Sequence, residues 1–110
     1  MERARTYTLQ ATEAARLLGR EIRLARKRRR WSAAELAARA GITRYTLQKI
    51  ERGEMTCAIG LVFEAASLVG VPLFDTDEAG LRARIRAADD RIALLPKHTH
   101  GPRKAVDDDF

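Results

Sequence analysis

Residues 43–52 bring together hydroxyl, guanidinium, phenol, amide and ammonium groups on Thr43, Arg44, Tyr45, Thr46, Gln48, Lys49 and Arg52. Leu47 and Ile50 fall among them three apart, the spacing of one apolar helix face. On such a helix Arg44 and Tyr45 lie at the exposed start, with Gln48 and Lys49 one turn on. These groups mainly donate hydrogen bonds. An arginine fork matches a phosphate or the edge of a guanine, and none of the set is a nucleophile paired with a base. Elsewhere, catalytic chemistry has little to work with. Cys57 is the one cysteine, and it reads as a small residue near the start of a helix. His98 and His100 stand two apart with no second ligand pair near them, which does not make a zinc site. A Gly-rich phosphate loop and a Ser/His/Asp set are both missing. We therefore expect no enzyme, no metal and no cofactor.

Charge is placed unevenly around this segment. Residues 1–56 carry 14 Lys and Arg against 6 Asp and Glu, whereas residues 57–110 carry 7 against 9. The basic half is the candidate nucleic-acid face; the acidic half reads as scaffold or as a surface for a protein partner. A chain of 110 residues, 45% hydrophobic and 33% charged, suits one globular domain. Aromatics are 5%, and Ala, Leu, Arg and Glu are abundant, a balance that favours helices over strands. A single cysteine permits no internal disulfide and fits a reducing cytoplasm. No apolar run approaches the roughly 20 residues of a membrane span, and Met1–Gln10 lacks the apolar stretch of a secretion signal.

Five helices are predicted to position these groups. The first runs from about Thr12 to Arg30, with Leu17 or Leu18, Ile22 and Ala25 on its apolar face; Gly19 weakens it by about 1 kcal/mol relative to Ala. Its end is the run Arg26-Lys27-Arg28-Arg29-Arg30, where cations suit the negative helix end. Ser32 with Glu35 three residues on is a capping box that opens a second helix. Leu36, Ala37 and Ala40 face inward there, and Gly41 closes it in the left-handed conformation. Thr43 caps a third helix, Arg44 to Arg52, which ends at Gly53. A fourth spans about Ala58 to Val69 with Leu61, Val62, Ala65, Leu68 and Val69 inward; Gly70 and Val71-Pro72 stop it. The fifth begins near Asp75 or Asp77 and ends at Pro96. Its Leu81, Ile85, Ala88, Ile92 and Leu95 form a short heptad-like seam. Before Thr12, Tyr7-Thr8-Leu9 reads as a short strand or an ordered arm, with a disordered arm equally open. The tail after Pro96 reads as loosely ordered.

Two short helices joined by Ala40-Gly41-Ile42-Thr43 make the unit that many repressors use to read DNA. Here the sequence resembles a known family. Trp31-Ser32-Ala33-Ala34-Glu35-Leu36-Ala37, then Ala40-Gly41-Ile42-Thr43, then Leu47-Gln48-Lys49-Ile50-Glu51-Arg52-Gly53 is similar to the Xre (phage lambda repressor and Cro) helix-turn-helix family, and Gly70-Val71-Pro72-Leu73-Phe74 matches its closing segment. The likeness covers about residues 17–75. It implies an all-α, five-helix lambda-repressor-like fold with a flexible N-terminal arm and a C-terminal tail. The expected divisions are an arm over 1–10, the helix-turn-helix domain over 11–75, a C-terminal helix over 76–95 and an acidic tail over 96–110.

The resemblance also implies roles. The third helix enters the major groove, where each base pair shows its own donor and acceptor pattern. Arg44 would bond a guanine in two places, Lys49 would act as a point charge, and Tyr45 would meet a thymine methyl or a phosphate. Gln48 belongs to the same outward set. Thr43, Thr46 and Arg52 read as phosphate clamps, which position without specifying. Arg26 and Glu51 would form an ion pair tying the first helix to the third. Trp31 reads as core rather than a base-stacking platform. Ala33 departs from the family, which often carries a glutamine there that touches phosphate; the Arg26–Arg30 run or the arm would compensate, unless that run is only a solvated helix end.

One helix reads too few base pairs for useful specificity, so a homodimer on a two-fold operator of double-stranded DNA is expected. The seam Leu81, Ile85, Ala88 and Ile92 is a candidate dimer surface, with packing back on the domain as the alternative. Leu94-Leu95-Pro96-Lys97 and the terminal Val106-Asp107-Asp108-Asp109-Phe110 resemble HipB-like antitoxins that pair with HipA-like toxin kinases. In that reading the tail docks in a basic groove of the kinase with Phe110 as anchor; otherwise it is a solvated end. A free-standing repressor, or an RNA-binding role, remains the other reading.

Overall fold

A computed structural model describes residues 5–97. Helices α1 (Leu9–Arg28), α2 (Ala33–Ala40), α3 (Arg44–Arg52), α4 (Ile59–Leu68) and α5 (Glu78–Leu94) follow in chain order. Isolated bridge residues at Leu73 and Thr76 aside, no β-strand forms among the described residues. The fold is all-α and lambda-repressor-like. Among the described residues no helix is long and apolar enough to cross a membrane. The chain divides into two compact units, Met1–Asp75 and Thr76–Phe110.

Local chemistry sets each boundary. Helix α1 begins at Leu9, three residues before the expected Thr12, so no strand forms at Tyr7-Thr8-Leu9 and Leu9 belongs to the helix. The Thr8 side chain accepts from the Ala11 N–H at 3.1 Å, and the Thr12 hydroxyl donates to Thr8 O at 3.1 Å. Both threonines thus serve one cap. Helix α1 stops at Arg28 rather than Arg30, because the Trp31 N–H returns to Arg26 O and the Arg30 N–H to Lys27 O. Arg30 takes φ 61° to allow this, a left-handed conformation that costs a non-glycine residue about 1–2 kcal/mol.

The Ser32 cap is a full capping box: its hydroxyl accepts from the Glu35 N–H at 3.0 Å, and its own N–H donates to Glu35 Oε1 at 2.7 Å. Gly41 closes α2 at φ 72°, where a side chain would strain the backbone. Thr43 caps α3 through the Thr46 N–H at 3.0 Å. At the other end, Gly53 adopts φ 82° and the Glu54 N–H returns to Lys49 O.

Ile22, Leu36, Ala37, Leu47, Ile50, Ala65, Ala66, Val69 and Val71 form the core of the first unit, with Leu18, Trp31, Ile42 and Cys57 packed against it. Of the pair Leu17 and Leu18, the latter faces inward, while Leu17 is exposed. Leu61, expected inward, is also exposed. The buried ridge of α4 and its cap runs through Val62, Ala65, Ala66 and Val69, and Leu61 falls beside it at helical spacing. Helix α3 packs on α1 and α2, and α4 on α2 and α1.

Gly19 explains how closely α1 and α3 approach. A Cβ on Gly19 would lie 2.5 Å from Ile50 O and 2.6 Å from Glu51 O. The glycine that weakens α1 as an isolated helix lets its backbone lie against the last turn of α3.

In the second unit, Asp77 caps α5 by accepting from the Gly80 N–H, and Glu78 pairs with Arg82 at 2.7 Å. No residue of α5 is buried. Along the seam Leu81 is half-buried, Ala88 is exposed, and Ile85 and Ile92 are 60% and 65% exposed.

Candidate nucleic-acid interface

Helix α3 divides its side chains by face. Leu47, Ile50 and Glu51 point inward and are buried. Arg44, Tyr45, Gln48 and Arg52 are exposed, and Thr46 and Lys49 are half-buried. The structure thus gathers all seven candidate residues on or beside one short helix, but their polar groups are not equally available.

Arg44 and Gln48 have no hydrogen-bond or ion-pair partner among the described residues. A guanidinium and an amide one turn apart, both unengaged, form a donor and acceptor edge suited to base atoms. Lys49 Nζ lies over the Tyr45 ring, 5.3 Å from its centroid, a contact that steadies both side chains on an exposed surface. The Thr43 hydroxyl donates to Thr46 Oγ1 at 3.0 Å while accepting the α3 cap. Its single proton is therefore engaged, and of the two threonines it is Thr46 that keeps an O–H to give. Arg52 donates twice to Glu54 Oε2, at 3.1 Å and 2.7 Å, so a carboxylate already offsets part of its charge.

Glu51 faces away from this surface. Arg26 Nε and Nη2 donate to its two oxygens at 2.8 Å and 3.0 Å, with both side chains under a tenth exposed. A third Arg26 donor reaches Trp31 O at 3.0 Å. The hydrogen bonds to Glu51 raise the Arg26 pKa above the ordinary arginine value; burial opposes this, and the attraction of the carboxylate charge adds to it. Since the pKa is raised on folding, the stability this guanidinium contributes is complete below the unfolded value and lost only as strong alkali passes the folded one. The pair joins the last turn of α1 to the last turn of α3.

Sequence reasoning does not single out Arg20. Its Nη1 donates to Glu51 O at 3.2 Å and to Arg52 O at 3.3 Å, so it holds the carbonyl end of α3. A long-range contact of this kind leaves no periodic mark in sequence. The run from Arg26 to Arg30 is divided by its contacts, with Lys27, Arg28 and Arg30 exposed. Arg26 is buried on Glu51, and Arg29 donates to Val69 O at 3.1 Å and lies over Trp31. Trp31 itself is half-buried against the core, with Arg39 on it at 4.2 Å.

Among the described residues no group of three His, Cys, Asp or Glu is placed to hold a metal; His98 and His100 lie outside those residues, as do Asp107–Asp109 and Phe110 of the tail. No curated protein matches the chain. A family model described as a helix-turn-helix domain matches residues 17–79, more than half of the chain and all of the α2–turn–α3 unit. With that match laid over a capped, outward-facing third helix, the chain belongs to the helix-turn-helix domain family and is a DNA-binding protein of the transcription-regulator type.

Proposed function

We propose that this protein is a sequence-specific transcriptional repressor that binds a two-fold operator as a homodimer. One observation carries the reading: Arg44 and Gln48 stand unpartnered on the outer edge of a helix held at both ends. Arg44 and Lys49, with Tyr45 and Gln48, read bases; Thr46 and Arg52, with Thr43 at the cap, position the helix on phosphates. The Arg26–Glu51 pair is structural. Ile85 and Ile92, with Leu81 and Ala88, supply the surface on which two copies meet. The test is selection of bound duplexes from a random pool. An inverted repeat with half-sites about 34 Å apart, one turn of DNA, is expected. Enrichment of a lone half-site would remove the dimer, and enrichment of no duplex, or of single strands, would remove the reading itself.

The finer role we propose is that of an antitoxin, which represses its own operon and neutralises a HipA-like toxin kinase. The sequence likeness at Leu94–Lys97 and Val106–Phe110 supports it. Co-expression with the product of the adjacent gene tests it. Truncation after Leu95 is expected to spare operator binding and abolish a stable complex with a kinase. Lack of any such complex with the full chain leaves a free-standing repressor.

A further inference from the structure

Beside the outer edge of α3, α1 and the start of α2 leave an open notch of about 330 Å³. Arg20, Arg23 and Arg26 of α1 line one side, Gln48 and Arg52 of α3 the other, and the short side chain of Ala33 leaves the α2 side open. Its charge balance is simple. The lone carboxylate in the lining, Glu51, is matched by Arg26. Arg52 is shared with Glu54, and Arg20 is held by the carbonyls at the end of α3. Arg23 is exposed and has no hydrogen-bond or ion-pair partner among the described residues. An uncompensated guanidinium thus faces a polar recess with a second cation, Arg20, one turn before it.

We infer that this notch seats one backbone phosphate of the bound duplex, with Arg23 as its principal ligand. The inference rests on the reading of α3 as the DNA-contacting helix. Chemistry and position favour a phosphodiester. Arginine presents parallel donors that match two phosphate oxygens, and the recess opens next to Gln48 and Arg52, on the side that a duplex meeting α3 must approach. Arg20 adds long-range attraction while its Nη1 stays on the α3 carbonyls. A phosphate held here would be gripped by α1 and α3 together, and so would fix the tilt of the reading helix over the bases. Arg23 carries no sequence preference in this role; it positions.

The test uses the full chain and a duplex taken from the random-pool selection, with phosphates replaced one at a time by uncharged methylphosphonates. Wild type should lose affinity at one position in each half-site that Arg23→Ala no longer senses. Arg23→Ala should also weaken binding alike on selected and unrelated duplexes, and flatten the log–log salt dependence by about 0.9 for each phosphate left without its arginine. Arg23→Lys should recover the slope but only part of the affinity. Equal sensitivity of wild type and Arg23→Ala at every phosphate overturns the inference while leaving the reading of α3 intact; failure of wild type to bind any duplex overturns that reading first. Inorganic phosphate added to the free protein separates the sources of the anion. If it raises the melting midpoint of wild type but not Arg23→Ala, with no matching loss in the methylphosphonate series, the notch serves a free anion and the assignment to DNA fails.

Discussion

Helix α3 has nine residues and buries Leu47, Ile50 and Glu51; α5 has seventeen and buries none. Both carry apolar residues at helical spacing, three apart in α3 and alternately four and three apart in α5. Helix α3 is shorter than the roughly 12–15 residues at which an isolated helix begins to persist in water. It is held instead by a threonine cap, a left-handed glycine, the Arg26–Glu51 pair and the packing of α1 and α2. Helix α5 has length, an aspartate cap and an Arg82–Glu78 pair, and its isoleucines remain exposed. Apolar spacing therefore says where a helix has a sticky side. Whether that side is already covered depends on neighbours that spacing alone does not show.

The sharpest way to break this comparison is to loosen α3 from its seat. Glu51→Ala leaves Arg26 charged in a buried site, and should lower unfolding free energy by about 3–5 kcal/mol in urea titration. A loss under about 1 kcal/mol would mean that the pair does not hold α3. Gly19→Ala pushes a methyl into the Ile50 and Glu51 carbonyls, and should cost about 1–3 kcal/mol despite the better helix propensity of alanine; a gain in stability would refute the close approach. On the outer face, Arg44→Ala should weaken specific DNA binding by about 1–3 kcal/mol and relax one base position, with the melting midpoint unchanged. The smallest effect is expected in α5. Ile85→Glu should alter unfolding of the dilute monomer by no more than about 0.5 kcal/mol while abolishing self-association in sedimentation. A large loss of monomer stability would show that the isoleucine stripe is covered within the chain and would erase the contrast with α3.

The α2–turn–α3 unit is legible in sequence because its punctuation is local. Ser32 with Glu35, Gly41, Thr43 and Gly53 each act within four residues of their own position, so the boundaries of α2 and α3 follow directly. The start of α1 is harder to read, since Thr8 and Thr12 are both cap residues and only their mutual bonding selects the first. Leu61 defies its spacing because α4 is apolar on several sides, which blurs its buried stripe. At the site, helical spacing separates outward from inward residues on α3. The same pattern does not show that the Thr43 proton is engaged, that Arg52 meets Glu54, or that Arg20 holds the carbonyl end of the helix while Arg23 lines the notch beside it. Those facts depend on side-chain geometry and on α1 folding back across residues more than twenty positions away. Gly19 is the clearest case: local propensity counts it as a defect, and the fold uses it where two backbones come into contact.

The two sealed ends of α3 have a thermodynamic consequence. A recognition element that is already helical before it meets a duplex has no coil-to-helix ordering left to undergo on contact. Calorimetry across temperatures should then give a heat-capacity change set by the interface alone, without the larger negative value that accompanies folding coupled to binding.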